Sequence, residues 1–396
     1  MPKTLHTATL YQSNLSLSSF FSPTPQTPKI LINNQTIIID EFSTRCENAF
    51  YFLTHFHTDH YQGVLKSMTV YASPLTCELL KTKSKCSTTA IPLKQPVEFA
   101  RKILVTAIPA NHCPGSVMFL FEDLVKKELI LATGDFKFDK ESAECANWEH
   151  IRAQKLYVDT TYLQAKSILI SQNESIKQVV DKLKTVFKPN RTKIICQTYA
   201  VGKERIFQRI AEEFNIKFYP TSAHRLNTLK IIYKEQFDKY FVATDTDLGV
   251  LDVMYGTGKE NVFKNMYNSF EKVVVIHATG WQSKFSFEQR GKLLLINTPY
   301  SEHCDYQELL NFCKMINPDE IYSIISEQDT KVIQQLTKQT GPKIDTWISK
   351  KNNINLQEIN LAEQEEILKE AAKRKQRNEK LQKLDVVDIS DVVDLE

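Results

Sequence analysis

From about residue 30 the chain is written in short apolar runs separated by turn-forming residues: KILINNQTIIIDEF, NAFYFLTHF, MTVYASP, RKILVTAIPA, VMFLFEDL, KELILATGDF and KLYVDTTY. Their brevity and their β-branched and aromatic content predict strands, with helical stretches such as PLTCELLKTK between them. From Ser167 to about Arg290 the pattern alternates: QNESIKQVVDKLKTVF reads as helix, TKIICQTYA as strand, KERIFQRIAEEF as helix and IKFYP as strand. Such alternation predicts an α/β module of its own. Beyond it, GKLLLINTPYSEH resumes a buried strand and a polar turn, and DYQELLNFCKMIN has the period of an amphipathic helix.

The two ends differ from this middle. Residues 1 to 28 are rich in Ser, Thr and Pro and show no sustained period, which predicts a disordered tail. The expected organisation is a first globular part from 29 to 163, an inserted module from 164 to 290, a return from 291 to 348, and a charged helical then acidic tail from 349 to 396. Composition adds little that contradicts this: 42% hydrophobic and 24% charged residues suffice for a sizeable core. No stretch approaches the roughly 18 apolar residues of a membrane helix, and no secretory pattern opens the chain, so an intracellular protein is expected. Eight scattered cysteines without a C-x-x-C pair read as reduced thiols. With a formal charge of only +3, any nucleic-acid contact has to be a local patch.

The chemistry concentrates in three short stretches. Tyr51-Phe-Leu-Thr-His55-Phe-His57-Thr-Asp59-His60 places three of the chain's 9 histidines in one loop. In an extended backbone His55 and His57 face one pocket while Phe56 faces the core; Thr58 can then cap a helix carrying Asp59 and His60. Asn111-His112-Cys113-Pro114-Gly115 and Leu131-Ala-Thr-Gly134-Asp135 each end an apolar strand with a ligand-type side chain at a glycine turn. Together they predict a dinuclear zinc site: His55, His57 and His112 hold one ion, Asp59 and His60 the other, and Asp135 bridges. Such a pair, roughly 3.5–4 Å apart, activates a water and neutralises phosphodiester charge, so no protein nucleophile is needed, and Cys113 and Cys304 are not cast as one. Asp59, Asp159 and His303 are the candidates for proton handling.

These residues carry a resemblance. His55-Phe-His-Thr-Asp-His60 resembles the signature of the metallo-β-lactamase superfamily, and Asn111-His-Cys-Pro-Gly115 with Thr133-Gly-Asp-Phe136 resembles its next two motifs. Leu156-Tyr-Val-Asp159-Thr-Thr-Tyr162, Tyr199-Ala-Val-Gly202-Lys-Glu-Arg205 and Pro299-Tyr-Ser-Glu-His303 are similar to motifs of the β-CASP nucleases of the SNM/PSO crosslink-repair branch, the branch of Artemis and Apollo. The resemblance runs from about residue 30 to 330. It implies an αββα sandwich with an inserted β-CASP α/β domain, with Asp159 as the acidic β-CASP residue and His303 as its imidazole partner. RNA-processing members carry a further histidine where this chain reads Ile321-Tyr-Ser-Ile-Ile325. That departure matches the DNA-directed branch and leaves the second metal one ligand short, so one or two zinc ions are expected per chain.

Within the DNA branch the resemblance implies a 5′-to-3′ exonuclease acting on 5′-phosphorylated DNA in interstrand-crosslink and double-strand-break repair. A structure-selective endonuclease of the Artemis type, an RNA-processing β-CASP endonuclease and a non-enzymatic repair scaffold are the alternatives. Lys203 and Arg205 are candidates to hold the terminal phosphate, and Trp281 to stack on a base of single-stranded DNA. In the N-terminal tail, Leu17, Phe20 and Phe21 resemble the motif that docks on the sliding clamp PCNA. In the C-terminal tail, Val386-Val-Asp-Ile389 and Val392-Val-Asp-Leu395 resemble SUMO-interacting segments, and the KRKQR run at 373–377 a nuclear import signal. A nuclear monomer is expected.

Overall fold

The run KILINNQTIIID folds as two strands rather than one. β1 (Lys29–Ile32) and β2 (Gln35–Ile39) pair antiparallel around Asn33 and Asn34, whose φ angles are 49° and 62°. A two-residue hairpin turn needs positive φ at both central residues, and asparagine tolerates it better than most side-chain-bearing residues. In the computed structural model, which describes residues 28–139, 151–165, 168–198, 201–220, 222–243, 250–253 and 269–338, this hairpin opens a five-stranded sheet. β3 (Ala49–Leu53), β4 (Thr69–Ala72) and β5 (Ser87–Ala90) complete it in chain order, and β2 to β5 run parallel.

A second sheet holds six strands. β6 (Val97–Ala100), β7 (Ile103–Pro109), β8 (Val117–Asp123) and β9 (Glu128–Ala132) form an antiparallel meander, and β10 (Lys155–Val158) joins β9 in parallel. The far edge is a late strand, Glu320–Ser323, parallel to β10. The two sheets bury their facing sides on one another through Ile37, Phe52, Val105, Phe119 and Phe121. Phe52 is central, with ring centroids 5.0 Å from Phe119 and 5.1 Å from Phe121. Strand alternation sends Ile38, Tyr51 and Leu53 to the opposite face, where the helix Pro74–Leu80 covers them. The outer face of the second sheet is covered by the helices Tyr306–Ile316 and Glu327–Lys338 through Leu309, Phe312, Ile316 and Ile333. The layering is helix, sheet, sheet, helix: the expected αββα sandwich.

The alternating segment builds a third sheet. β11 (Thr192–Gln197), β12 (Phe218–Pro220), β13 (Val250–Val253), β14 (Lys272–Thr279), β15 (Ser286–Arg290) and β16 (Leu293–Pro299) stand in the order 12-13-11-14-16-15, parallel except for the edge strand β15. The near-continuous apolar text of β11 and β14 reflects burial on both faces, with the helices Gln172–Lys184 and Glu204–Phe214 on one side. β16 lies between β14 and β15, where Leu293, Leu294 and Ile296 enter the module's cores. The return to the sandwich therefore follows Pro299, not residue 290 as the pattern suggested. No helix among the described residues is long and apolar enough to cross a membrane. The Leu17, Phe20 and Phe21 motif, both acidic segments and the KRKQR run lie outside the described residues.

Candidate metal centre

β3, β7, β9 and β10 all end at one rim of the sandwich, and the residue types singled out above follow those ends: His55 and His57, then His112, Asp135 and Asp159. Gathering the carboxyl ends of strands is the usual way a layered α/β fold makes a site. His55 and His57 come from a loop just past β3, while Phe56 between them is buried against Tyr61, 4.8 Å between centroids. The short helix Thr58–Tyr61 starts one residue earlier than expected: its N-cap is His57, without a side-chain cap bond, and Thr58 is its first residue. The reason is that the His57 carbonyl already accepts the His60 and Tyr61 amides, each at 3.1 Å.

One ligand atom each from His55, His57, His112 and Asp135 lies within 4.8 Å of all the others. His57 Nδ1 is 3.0 Å from His55 Nε2 and 3.2 Å from His112 Nε2; Asp135 Oδ2 is 3.6 Å from the first of these partners and 3.7 Å from the second. The outward nitrogen of each imidazole donates to an oxygen. His55 Nδ1 reaches Thr54 Oγ1 at 2.9 Å, His57 Nε2 the Val201 carbonyl at 3.0 Å, and His112 Nδ1 the Glu302 carbonyl at 2.9 Å. With the protons outside, the lone pairs point inward. Burial pushes all three below the usual imidazole value; neighbouring imidazoles add to this, His60 first for His55 and His303 first for His112. Three neutral nitrogens and a carboxylate oxygen facing one another are a donor set that fits a divalent cation.

His60 lies beside this set, its Nε2 3.3 Å from Asp135 Oδ2 and 3.9 Å from Asp59 Oδ2. Asp59 is at the rim, its side chain 70% exposed. Against burial, Asp135 and Asp40 hold His60 well above the ordinary imidazole value. On the other side of Asp135, His303 Nε2 is 3.9 Å from Oδ2 while Nδ1 donates to Asp159 Oδ2 at 2.7 Å. Asp159 is itself fixed by the Thr161 amide at 2.9 Å and hydroxyl at 2.6 Å. Burial opposes the charged form of His303, yet Asp159 and Asp135 carry it up to about 9. At the end of the strand Glu320–Ser323, the hydroxyls of Ser323 and Thr160 bond each other at 2.6 Å.

Three parts of the site were not read from the sequence. Asp40 accepts the Thr54 amide at 2.8 Å, the Thr54 hydroxyl at 2.6 Å and His60 Nδ1–H at 3.0 Å, orienting His60 directly and His55 through Thr54. Its signal was present: Thr-Ile-Ile-Ile-Asp40 ends an apolar strand with an acid, as Leu-Ala-Thr-Gly-Asp135 does. Glu302, pushed up to about 8 by burial and by Glu204, and the Val201 carbonyl lie within the Pro299–His303 and Tyr199–Arg205 motifs, but their residue types did not mark them as supports of the imidazoles. Gly134, at φ 54°, lets the Asp135 turn approach Thr54; a Cβ there would lie 2.5 Å from Thr54 Oγ1.

The expected phosphate-holding pair separates. Lys203 is 7% exposed, its ammonium donates to the Ala278 carbonyl at 2.6 Å, and burial lowers it to about 8. It is tied inside the protein because it caps the helix Glu204–Phe214 at φ 64°, which turns its side chain back under β14. Arg205 bonds Gln172 Oε1 at 2.7 Å and Asn173 Oδ1 at 2.9 Å and lines a cavity of about 550 Å³ beside His112, with Tyr300 and Glu302. Trp281 is 41% exposed; its ring is 5.0 Å from that of Tyr162, which in turn is 6.0 Å from His303.

A model of the DNA repair metallo-beta-lactamase family matches residues 244–329. The human DNA cross-link repair 1A protein is 30% identical over 294 residues, covering 70% of this chain and 28% of that protein. The Arabidopsis thaliana DNA cross-link repair protein SNM1 is 29% identical, covering 78% of this chain and 66% of that one, and the Gallus gallus 5′ exonuclease Apollo is 28% identical, covering 74% and 63%. The chain thus spans between 28% and 66% of the length of these relatives. A solved protein of unknown function from Enterococcus faecalis V583 shares the fold, with a TM-score of 0.50 at 14% identity over 73% of this chain and 78% of that one. With its motifs, its layered fold and these relatives together, the chain belongs to the DNA repair metallo-beta-lactamase family, in the β-CASP crosslink-repair branch.

Proposed function

We propose that this protein is a zinc-dependent DNA nuclease of the nucleus that degrades strands from a 5′-phosphorylated end in crosslink and double-strand-break repair. The observation that carries the reading is the convergence of His55, His57, His112 and Asp135 on one point, with His60 on one side of Asp135 and the Asp159–His303 pair on the other. Bound zinc would supply a nucleophilic water at neutral pH and neutralise charge on the phosphodiester. Asp135, between His60 and His303, would serve both ions if two are bound, and Asp59 would close the second position from the rim. His303, held at Nδ1 by Asp159, presents Nε2 to the site as the proton donor for the departing oxygen.

Substrate features follow from the neighbours. Arg205 and the buried Tyr300 hydroxyl, which has no hydrogen-bond partner among the described residues, line the cavity beside His112 and offer a cation and a donor for a terminal phosphate. The exposed face of Trp281 offers a stacking surface for a base next to the site. The segment Ile321-Tyr-Ser-Ile-Ile325 has no imidazole where RNA-processing members carry one, which supports DNA over RNA. The names of the crosslink-repair and 5′ exonuclease relatives support the same substrate.

The test is a time-resolved gel of end-labelled DNA and RNA strands with and without a 5′ phosphate, using metal-depleted protein and Asp59→Ala as controls. Progressive shortening of 5′-phosphorylated DNA that vanishes on chelation and returns with zinc is expected. Equal cutting of RNA, or cleavage indifferent to the 5′ end, would overturn the substrate assignment.

A further inference from the structure

Two of the three imidazoles of the first metal position are oriented by backbone at the junction with the inserted module: one by the module itself, one by the segment that returns from it. The acceptor for His57 is the carbonyl of Val201, in the turn between β11 and the helix Glu204–Phe214. The acceptor for His112 is the carbonyl of Glu302, just past β16. The first turn belongs to the inserted module; the second begins the return from that module to the sandwich. His55 is held locally, by the adjacent Thr54.

These two turns are joined to each other. Glu302 Oε1 accepts the Lys203 amide at 2.6 Å. Gly202, at φ 113°, leaves room for that carboxylate: a Cβ there would lie 2.6 Å from Glu302 Oε2. The Val201–Lys203 turn is braced from behind, by Glu204 Oε1 on the Gly202 amide at 2.8 Å and by Thr198 Oγ1 on the Gly202 carbonyl at 3.0 Å. The Glu302 carboxylate is not among the groups of possible metal ligands in the described residues. Its side chain joins the two pieces of backbone that point His57 and His112 inward.

We propose that Glu302 is a positioning residue that couples docking of the inserted module to metal binding at the first position. The lone pairs of His57 and His112 converge only while the Val201 and Glu302 carbonyls keep their places, and the Glu302–Lys203 bond ties those places together. Outer-shell partners of this kind typically change metal affinity by about 10–100-fold when lost. The inference rests on the metal-binding reading of the cluster made above.

The experiment is chelator-competition titration of the full chain with zinc, paired with the visible spectrum of the cobalt(II)-substituted protein, which reads ligand geometry independently of activity. Glu302→Ala is expected to weaken zinc by about 10–100-fold and to change the cobalt bands. Glu302→Gln keeps an oxygen that reaches the Lys203 amide and is expected to restore both readings. Gly202→Ala, which pushes a methyl onto the carboxylate while leaving Glu302 in place, is expected to weaken zinc in the same direction, and serves where the first variant does not fold. Wild-type protein that binds zinc, with folded Glu302→Ala or Gly202→Ala matching it in affinity and spectrum, overturns the inference alone. Wild-type protein that binds neither ion overturns the metal reading together with it.

Discussion

Removing Asp40 tests how the site is held together, because its carboxylate fixes both the imidazole of the second position, His60, and the loop that carries His55. It accepts three hydrogen bonds: the Thr54 amide, the Thr54 hydroxyl and His60 Nδ1–H. In Asp40→Ala the fully buried Thr54 is left with an orphaned amide, a loss of about 1–3 kcal/mol, and the charge-assisted bonds contribute about 1.5–3 kcal/mol each. Allowing the Thr54 hydroxyl to turn to another acceptor, the expected destabilisation is about 3–5 kcal/mol. Asp40→Asn works differently. If its oxygen stays on the Thr54 amide, its NH₂ faces His60 Nδ1, which must then accept rather than donate. The proton moves to Nε2, between the ring and Asp135, and the imidazole no longer offers a lone pair there. Asp40→Asn should therefore lose less stability than Asp40→Ala and yet bind the second ion about 10–100-fold more weakly. Urea unfolding of metal-depleted protein gives the first quantity and zinc titration the second. Asp40→Ala within 1 kcal/mol of wild type, together with unchanged zinc stoichiometry in Asp40→Asn, would refute the reasoning.

Two further outcomes test other parts of the site. Gly134→Ala combines a left-handed backbone with a Cβ 2.5 Å from Thr54 Oγ1 and 2.7 Å from its Cβ, so it should cost about 2–4 kcal/mol in thermal or urea unfolding; a melting curve superposable on wild type would mean the turn has slack that the structure does not show. Trp281→Ala should weaken binding of single-stranded DNA by about 1–3 kcal/mol while Trp281→Phe retains most of it, read by fluorescence anisotropy on metal-depleted protein; an alanine variant that binds as tightly as wild type removes the stacking role.

Much of the architecture was legible because strands and helices carry their period in the text. AFYFL around Phe52 and VMFLF around Phe119 announce buried strands as short apolar runs, and QNESIKQVVDKLK a helix by its spacing. Where the reading slipped, a local turn or a long-range partner decided. KILINNQTIIID became two strands because Asn33 and Asn34 accept positive φ, and β16 joined the inserted module because its apolar side chains find their burial between β14 and β15. Thr58 lost the cap position to His57, whose carbonyl was already engaged.

The sequence by itself determined which side chains could serve the site: imidazoles and carboxylates at the ends of apolar strands, a set marked by residue type and by motif. Only the tertiary structure decided how they are held. Asp40 orients His60 across 20 positions, Val201 holds His57 across 144, and Glu302 holds His112 across 190. Each of these is a hydrogen bond to an oxygen brought near by sheet packing, and two of the three oxygens are backbone carbonyls, which every residue has. A carbonyl leaves no mark in the sequence, so its role appears only when the fold places it against a nitrogen. The same holds for Lys203, a cation in the text, whose side chain the left-handed cap of its helix turns inward.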